Sequence, residues 1–65
     1  MTTQAAEWLI TTPDMPDMTE CEELGYQEGY YDDKLIVTFP DGSALLEGYP
    51  NNVALTPAER DLLAP

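Results

Sequence analysis

Apolar residues fall along this chain in short bursts, each closed by proline, glycine or acid. The clearest burst is 34–39 (KLIVTF), whose β-branched and aromatic residues predict a strand. Pro40-Asp41-Gly42-Ser43 then supplies turn chemistry, and 44–47 reads as a returning strand. Together they predict a β-hairpin over about 31–48. Gly48-Tyr49-Pro50-Asn51-Asn52 breaks the pattern again, and 53–55 supplies a short third strand. The segment between the first helices and the hairpin, 27–33 (QEGYYDD), reads as a turn rich in tyrosine and acid.

Three short helices are expected around this sheet. The stretch 2–10 (TTQAAEWLI) supports two descriptions. With Thr3 as cap it is a helix over about 3–10, carrying Ala6, Leu9 and Ile10 on one face with Trp8 nearby. Alternatively 8–12 is a β-rich run ended by Pro13; the helix is preferred. Thr19-Glu20-Cys21-Glu22 has the spacing of a capping box, with Thr19 as cap, Glu22 reaching back and Gly25 stopping a helix over about 19–25. Glu20, Glu22 and Glu23 would then sit in a first turn, where the helix dipole favours acid. Thr56-Pro57-Ala58-Glu59 repeats the box and opens a helix over about 57–63, offering Leu62 and Leu63 to the hairpin. The expected fold class is α+β: a single domain, 1–65, in which helices cover one face of a small antiparallel sheet.

Charge changes the picture. Thirteen acids stand against Lys34 and Arg60, a net charge of −11 on 65 residues. Eight of them fall between 14 and 33 with no base among them: Asp14, Asp17, Glu20, Glu22, Glu23, Glu28, Asp32 and Asp33. Self-repulsion on that scale opposes compactness, and so small a chain has little apolar burial to offset it. Disorder is nevertheless disfavoured, because 43% of residues are hydrophobic, including Trp8, Phe39 and four tyrosines. The capping geometry accounts for three of the eight acids and leaves the others without a structural duty.

The same inventory removes several function classes. Direct nucleic-acid binding needs Lys and Arg to neutralise phosphate, and anionic membranes demand the same. No histidine is present, so Ser43 and Cys21 lack the usual base of a nucleophile; no catalytic residue and no cofactor is expected. Ser43 reads as a turn residue. Paired carboxylates can act as acid and base, but nothing marks a pocket to shift their pKa. The acid run lacks the Asp-x-Asp-x-Asp-Gly spacing of an EF-hand, and adjacent Asp32 and Asp33 would point apart in a strand, so no metal is expected. Cys21, beside Glu20, Glu22 and Glu23, should be a poor nucleophile and a small packing residue. The first twenty residues lack a basic n-region and an apolar run, which suggests a cytoplasmic protein.

Basic partners remain. Carboxylates on neighbouring helical turns have Cβ atoms about 5–6 Å apart. That is close to phosphate spacing along one strand of a duplex carrying a charge per roughly 1.7 Å of axis. Arg and Lys clamps take carboxylate and phosphate alike. Among the acids, Tyr30 and Tyr31 add contact area that salt does not screen, or else pack on the hairpin. The expected partner surface is therefore Asp14, Asp17, Glu20, Glu22, Glu23, Glu28, Tyr30, Tyr31, Asp32 and Asp33.

In its short length, the acid run 14–33 and the hairpin VTFPDGSALLEG (37–48) followed by a short capped tail, the chain resembles the small acidic anti-CRISPR proteins of phages. Some of these are DNA mimics. The resemblance covers the whole chain in character and rests on no diagnostic motif, so it transfers no individual residue role. It implies an inhibitor in the cytoplasm of a bacterial host, blocking target-DNA binding by a Cascade-type or Cas9-type effector, as monomer or homodimer. Two other classes fit the same residues: an acidic regulatory or antitoxin-like module on a basic protein surface without imitation of DNA, and an accessory protein with a solvated acidic surface.

Overall fold

The computed structural model describes residues 2–63. Met1, Ala64 and Pro65, which the single-domain expectation of 1–65 includes, lie outside the described residues. The elements in chain order are α1 (Gln4–Thr11), α2 (Met18–Leu24), β1 (Gln27–Tyr31), β2 (Lys34–Thr38), β3 (Ala44–Leu46), β4 (Val53–Leu55) and α3 (Pro57–Leu63). The strands form one antiparallel sheet in the order β1-β2-β3-β4. The α+β class and the central hairpin are as the pattern of apolar residues predicts.

Register fixes the two faces of the sheet. Val37 lies opposite Leu45, and Leu45 opposite Ala54, so these three share a face with Leu35 and Phe39. Ala5 of α1 and Cys21 of α2 complete the buried core there, with Trp8, Leu9, Met15 and Tyr26 packed around it. Tyr26 meets Phe39 edge to face at 4.4 Å, and Trp8 stands 6.1 and 6.2 Å from their ring centres. Ile36, Thr38 and Ala44 belong to the opposite face. Arg60 of α3 reaches that side, where its Nε donates to Thr38 Oγ1 at 3.2 Å. The expectation that all helices cover one face is therefore corrected: α1 and α2 take one side and α3 the other. The reason is visible in Leu35-Ile36-Val37 and Ala44-Leu45-Leu46, which are apolar without alternation and so need cover on both sides.

Two further corrections concern helix faces. The inner stripe of α1 is Ala5, Trp8 and Leu9, one step before the expected Ala6, Leu9 and Ile10, and Ile10 is 79% exposed. In α3 Leu63 is half-buried, whereas Leu62 is 84% exposed and does not serve the hairpin.

The start of α1 shows how a short helix is held. A helix leaves its first amides without internal partners. Here Gln4 N–H donates to the Asp41 carboxylate at 2.9 Å, Ala5 N–H to Ser43 Oγ at 3.1 Å, and Ala6 N–H to Thr3 Oγ1 at 3.2 Å. The link is reciprocal, since Asp41 N–H donates to Gln4 Oε1 at 2.9 Å. The Ser43 amide and hydroxyl both donate to Asp41 as well. The Gln4 amide, then the Ser43 hydroxyl, hold the Asp41 carboxyl below its usual range. Ser43 is thus a fully buried junction between α1 and the hairpin, beyond the turn residue expected from the sequence. Elsewhere Gly48 is required by close approach, because a Cβ there would come within 2.5 Å of the Asn51 carbonyl oxygen.

Replacing Ser43 with alanine strands the buried Ala5 amide. Ser43→Ala should lower the unfolding free energy by about 1–3 kcal/mol, read from urea denaturation. A variant as stable as the parent would show that this junction contributes nothing.

Candidate functional site

The acids of the first half are carried by α2, by β1 and by the loops that bound them. α2 begins two residues earlier than the Thr19 capping box predicts. Asp17 is its cap: Asp17 Oδ1 accepts from Glu20 N–H at 2.8 Å, and Glu20 Oε1 accepts from Asp17 N–H at 3.2 Å. Asp17-Met18-Thr19-Glu20 has the same spacing as the box expected at Thr19, and aspartate is the somewhat stronger cap. Gly25 ends the helix as expected, in the left-handed region at φ 77°. The shift matters electrostatically. Only Glu20 remains in the first turn; Glu22 and Glu23 fall in the last turn, beside the negative end of the helix dipole.

The 27–33 segment is not the tyrosine-rich turn expected. Gln27–Tyr31 is the outer strand β1, and only Asp32 and Asp33 turn. Gln27, Glu28 and Gly29 are weak strand formers, so pairing with β2 overrides local preference. Tyr31 pairs with Lys34, and Asp32 and Asp33 between them hold φ values of 51° and 66°. Two consecutive positive φ values define the hairpin loop that normally prefers Asn-Gly or Asp-Gly, so Asp32 suits its position and Asp33 stands where glycine is favoured. Neither aspartate lies in a strand, which replaces the expectation that they point apart across one.

Register separates the two tyrosines. Glu28 pairs with Val37 and Tyr30 with Leu35, so both side chains lie on the face that carries α1 and α2. Tyr31 lies on the α3 side. Tyr30 is 79% exposed and Tyr31 41%. Tyr26, by contrast, belongs to the core, and Tyr49 stands in solvent.

The charges of Asp17, Glu20 and Glu28 all act on Cys21. The thiol is buried and its pKa is raised, first by that burial and then by the charges of Glu28, Asp17 and Glu20. Glu22 and Glu23, its neighbours in sequence, are exposed and turn away from it. A turn of about 100° per residue places Glu20 and Glu22 on opposite flanks of Cys21, and Glu23 on the outer side of α2. Asp14 is exposed in the loop after α1, where its backbone carbonyl accepts the Trp8 indole N–H at 2.7 Å. The predicted residues therefore form a cluster at Asp17, Glu20 and Glu28, an outer pair at Glu22 and Glu23, and a separate tip at Asp32 and Asp33. Sequence inspection passed over Met18 and Leu24, two apolar side chains left exposed on α2 among these acids.

Among the described residues no group of three or more cysteine, aspartate and glutamate side chains is placed to hold a metal ion. No helix of the described residues is long and apolar enough to cross a membrane. In comparisons with known proteins, no family model, no curated protein and no solved structure matches this chain.

The arrangement around Cys21 has a measurable signature. Alkylation of the native thiol by iodoacetamide should begin at higher pH than for a free cysteine, and Glu28→Gln should move the profile to lower pH. Because the folded thiol titrates above the unfolded one, its contribution to stability is complete below the ordinary value of 9.0 and is lost as pH rises through the folded value. A profile unchanged by Glu28→Gln would separate Glu28 from the thiol.

Proposed function

We propose that this protein is an inhibitor that occupies a positively charged nucleic-acid-binding groove as a DNA mimic. Its most specific form is an anti-CRISPR that blocks target-DNA binding by a Cascade-type or Cas9-type effector. The contacting groups are the acids of α2, β1 and the β1–β2 turn, with Tyr30 beside them. Lys and Arg of the groove hold carboxylates through the charge-assisted bonds they otherwise make to phosphate. A standard interface needs about 800 Å² per partner, less than a fifth of the 4559 Å² this protein exposes.

The observation that carries this proposal is that Glu22, Glu23 and Asp33 stand where the fold would prefer another residue. Glu22 and Glu23 oppose the helix dipole in the last turn of α2. Asp33 occupies the second positive-φ position of the β1–β2 turn, where glycine is preferred, while Asp32 suits the first. Acids kept at positions that weaken the fold fit a role outside it. Exposed Met18 and Leu24 on the same helix favour the second reading, a regulatory module on a basic protein surface that also offers apolar pockets.

The variant Glu22→Lys, Glu23→Lys, Asp32→Asn, Asp33→Gly tests the proposal. It moves the net charge from −11 to −5, since each reversal adds two and each neutralisation one. The fold should gain about 1–2 kcal/mol in urea unfolding, while displacement of labelled duplex from a Cascade or Cas9 effector in a gel shift disappears. A stabilised variant that still displaces DNA as well as the parent would end the mimic reading for this surface. A ternary complex of effector, DNA and parent protein would favour the regulatory module.

A further inference from the structure

β1 is an outer strand, and the chemistry of its free side follows from the register. Its two-residue connection closes on Tyr31 and Lys34, and a loop of this kind has a mutually hydrogen-bonded pair at its base. Bonded and non-bonded pairs alternate from there. Gly29–Ile36 and Gln27–Thr38 are bonded, whereas Tyr30–Leu35 and Glu28–Val37 are not. The far side of β2 agrees with this phase. The Leu35 carbonyl accepts from the Glu47 amide at 2.8 Å, and the Phe39 amide donates to the Ser43 carbonyl at 2.8 Å. Leu35 and Phe39 thus direct their polar backbone toward β3 and away from β1. The N–H and C=O groups of Glu28 and Tyr30 accordingly point out of the sheet along its open side.

Natural proteins usually blunt such a strand with charged side chains, lysine above all, with proline or with a bulge. Gln27–Tyr31 has no proline and pairs with β2 in unbroken register, and its one charge, Glu28, repels anionic strands while leaving the edge open to a cationic one. Glu28 and Tyr30 are both exposed.

The geometry points to strand addition at the β1 edge by an extended segment of another protein that carries Lys or Arg at alternate positions. The backbone of Glu28 and Tyr30 supplies the ladder bonds. Their side chains share one face, so the incoming residues that meet them also share one face, at alternate positions. One cation meets Glu28, where Asp17 and Glu20 add to the negative potential also felt by Cys21. A second lies against the exposed ring of Tyr30. Charge also selects against the other simple occupant, a second copy of this chain, which would bring −11 against −11. This inference goes beyond displacement of DNA: it concerns a polypeptide partner and backbone pairing, and it stands or falls separately.

The test uses the full chain, isotopically labelled for amide hydrogen exchange, with an octapeptide alternating lysine and valine as probe. In the free protein the Glu28 and Tyr30 amides should exchange fast, and those of Gly29 and Tyr31 slowly. The lysine peptide should slow Glu28 and Tyr30 by about tenfold or more, and a glutamate–valine counterpart should not. Tyr30→Pro removes an amide that the β1–β2 ladder does not use, so the fold should persist. It should weaken peptide binding about tenfold beyond Tyr30→Ala, which lacks the ring but keeps the amide. Equal affinity of the two variants would overturn the inference, as would protection confined to other residues or no binding at about 1 mM peptide. Protection of Glu28 and Tyr30 in the free protein, including protection through dimerisation, would overturn it too. If Tyr30→Pro does not fold, the exchange pattern of the parent decides alone.

Discussion

Val37 and Leu45 face each other across β2 and β3, and both are fully buried. Each remaining element is placed by reference to that pair. Ala54 extends it to β4, Ala5 and Cys21 close over it from α1 and α2, and the Trp8–Tyr26–Phe39 group seals one side. A chain of 65 residues has few such contacts to set against chain entropy. The core must therefore be assembled from elements too short to persist alone, and each is fixed at its ends by side-chain hydrogen bonds.

Charge presses against this small core, and the acids divide into two groups under that pressure. Asp17, Glu20, Asp41 and Glu59 accept from backbone amides at helix starts, where negative charge is favoured. Glu22 and Glu23 sit at the helix end with the opposite preference, Asp33 takes a turn position that favours glycine, and Asp32 shares that exposed tip. With two bases in the chain, at least eleven acids have no one-to-one ionic partner within it. Arg60 donates to a threonine hydroxyl of β2 and so helps hold α3 in place. The division gives physical content to the functional proposal, because the second group contributes field to the surroundings and little to the fold.

Much of the architecture was legible in the sequence because local signals and tertiary demands agreed. KLIVTF, the Pro40–Ser43 turn, the Thr3 and Thr56 caps and Gly25 all do what their chemistry predicts. Legibility failed where two signals competed or where pairing imposed a structure. Asp17 and Thr19 both head a capping box, and choosing the later one moved Glu22 and Glu23 to the wrong end of the helix dipole. β1 was hidden because Gln27-Glu28-Gly29 has no strand preference of its own and is ordered by β2. The placement of α3 has a signal in the unbroken apolar runs of β2 and β3, whose lack of alternation calls for cover on both faces. The gathering of Glu28 toward Cys21, and the tie between Asp41 and α1, join residues far apart in sequence. No local pattern announces either.

That last tie makes the persistence of α1 conditional on the hairpin. Asp41 and Ser43 satisfy the first amides of α1 across separations of 37 and 38 residues. A helix of eight residues with those amides unmet has little persistence by itself. The hairpin's own contacts are local, whereas α1 draws the partners of its first two amides from the hairpin turn, so the helix leans on the hairpin more than the hairpin leans on the helix.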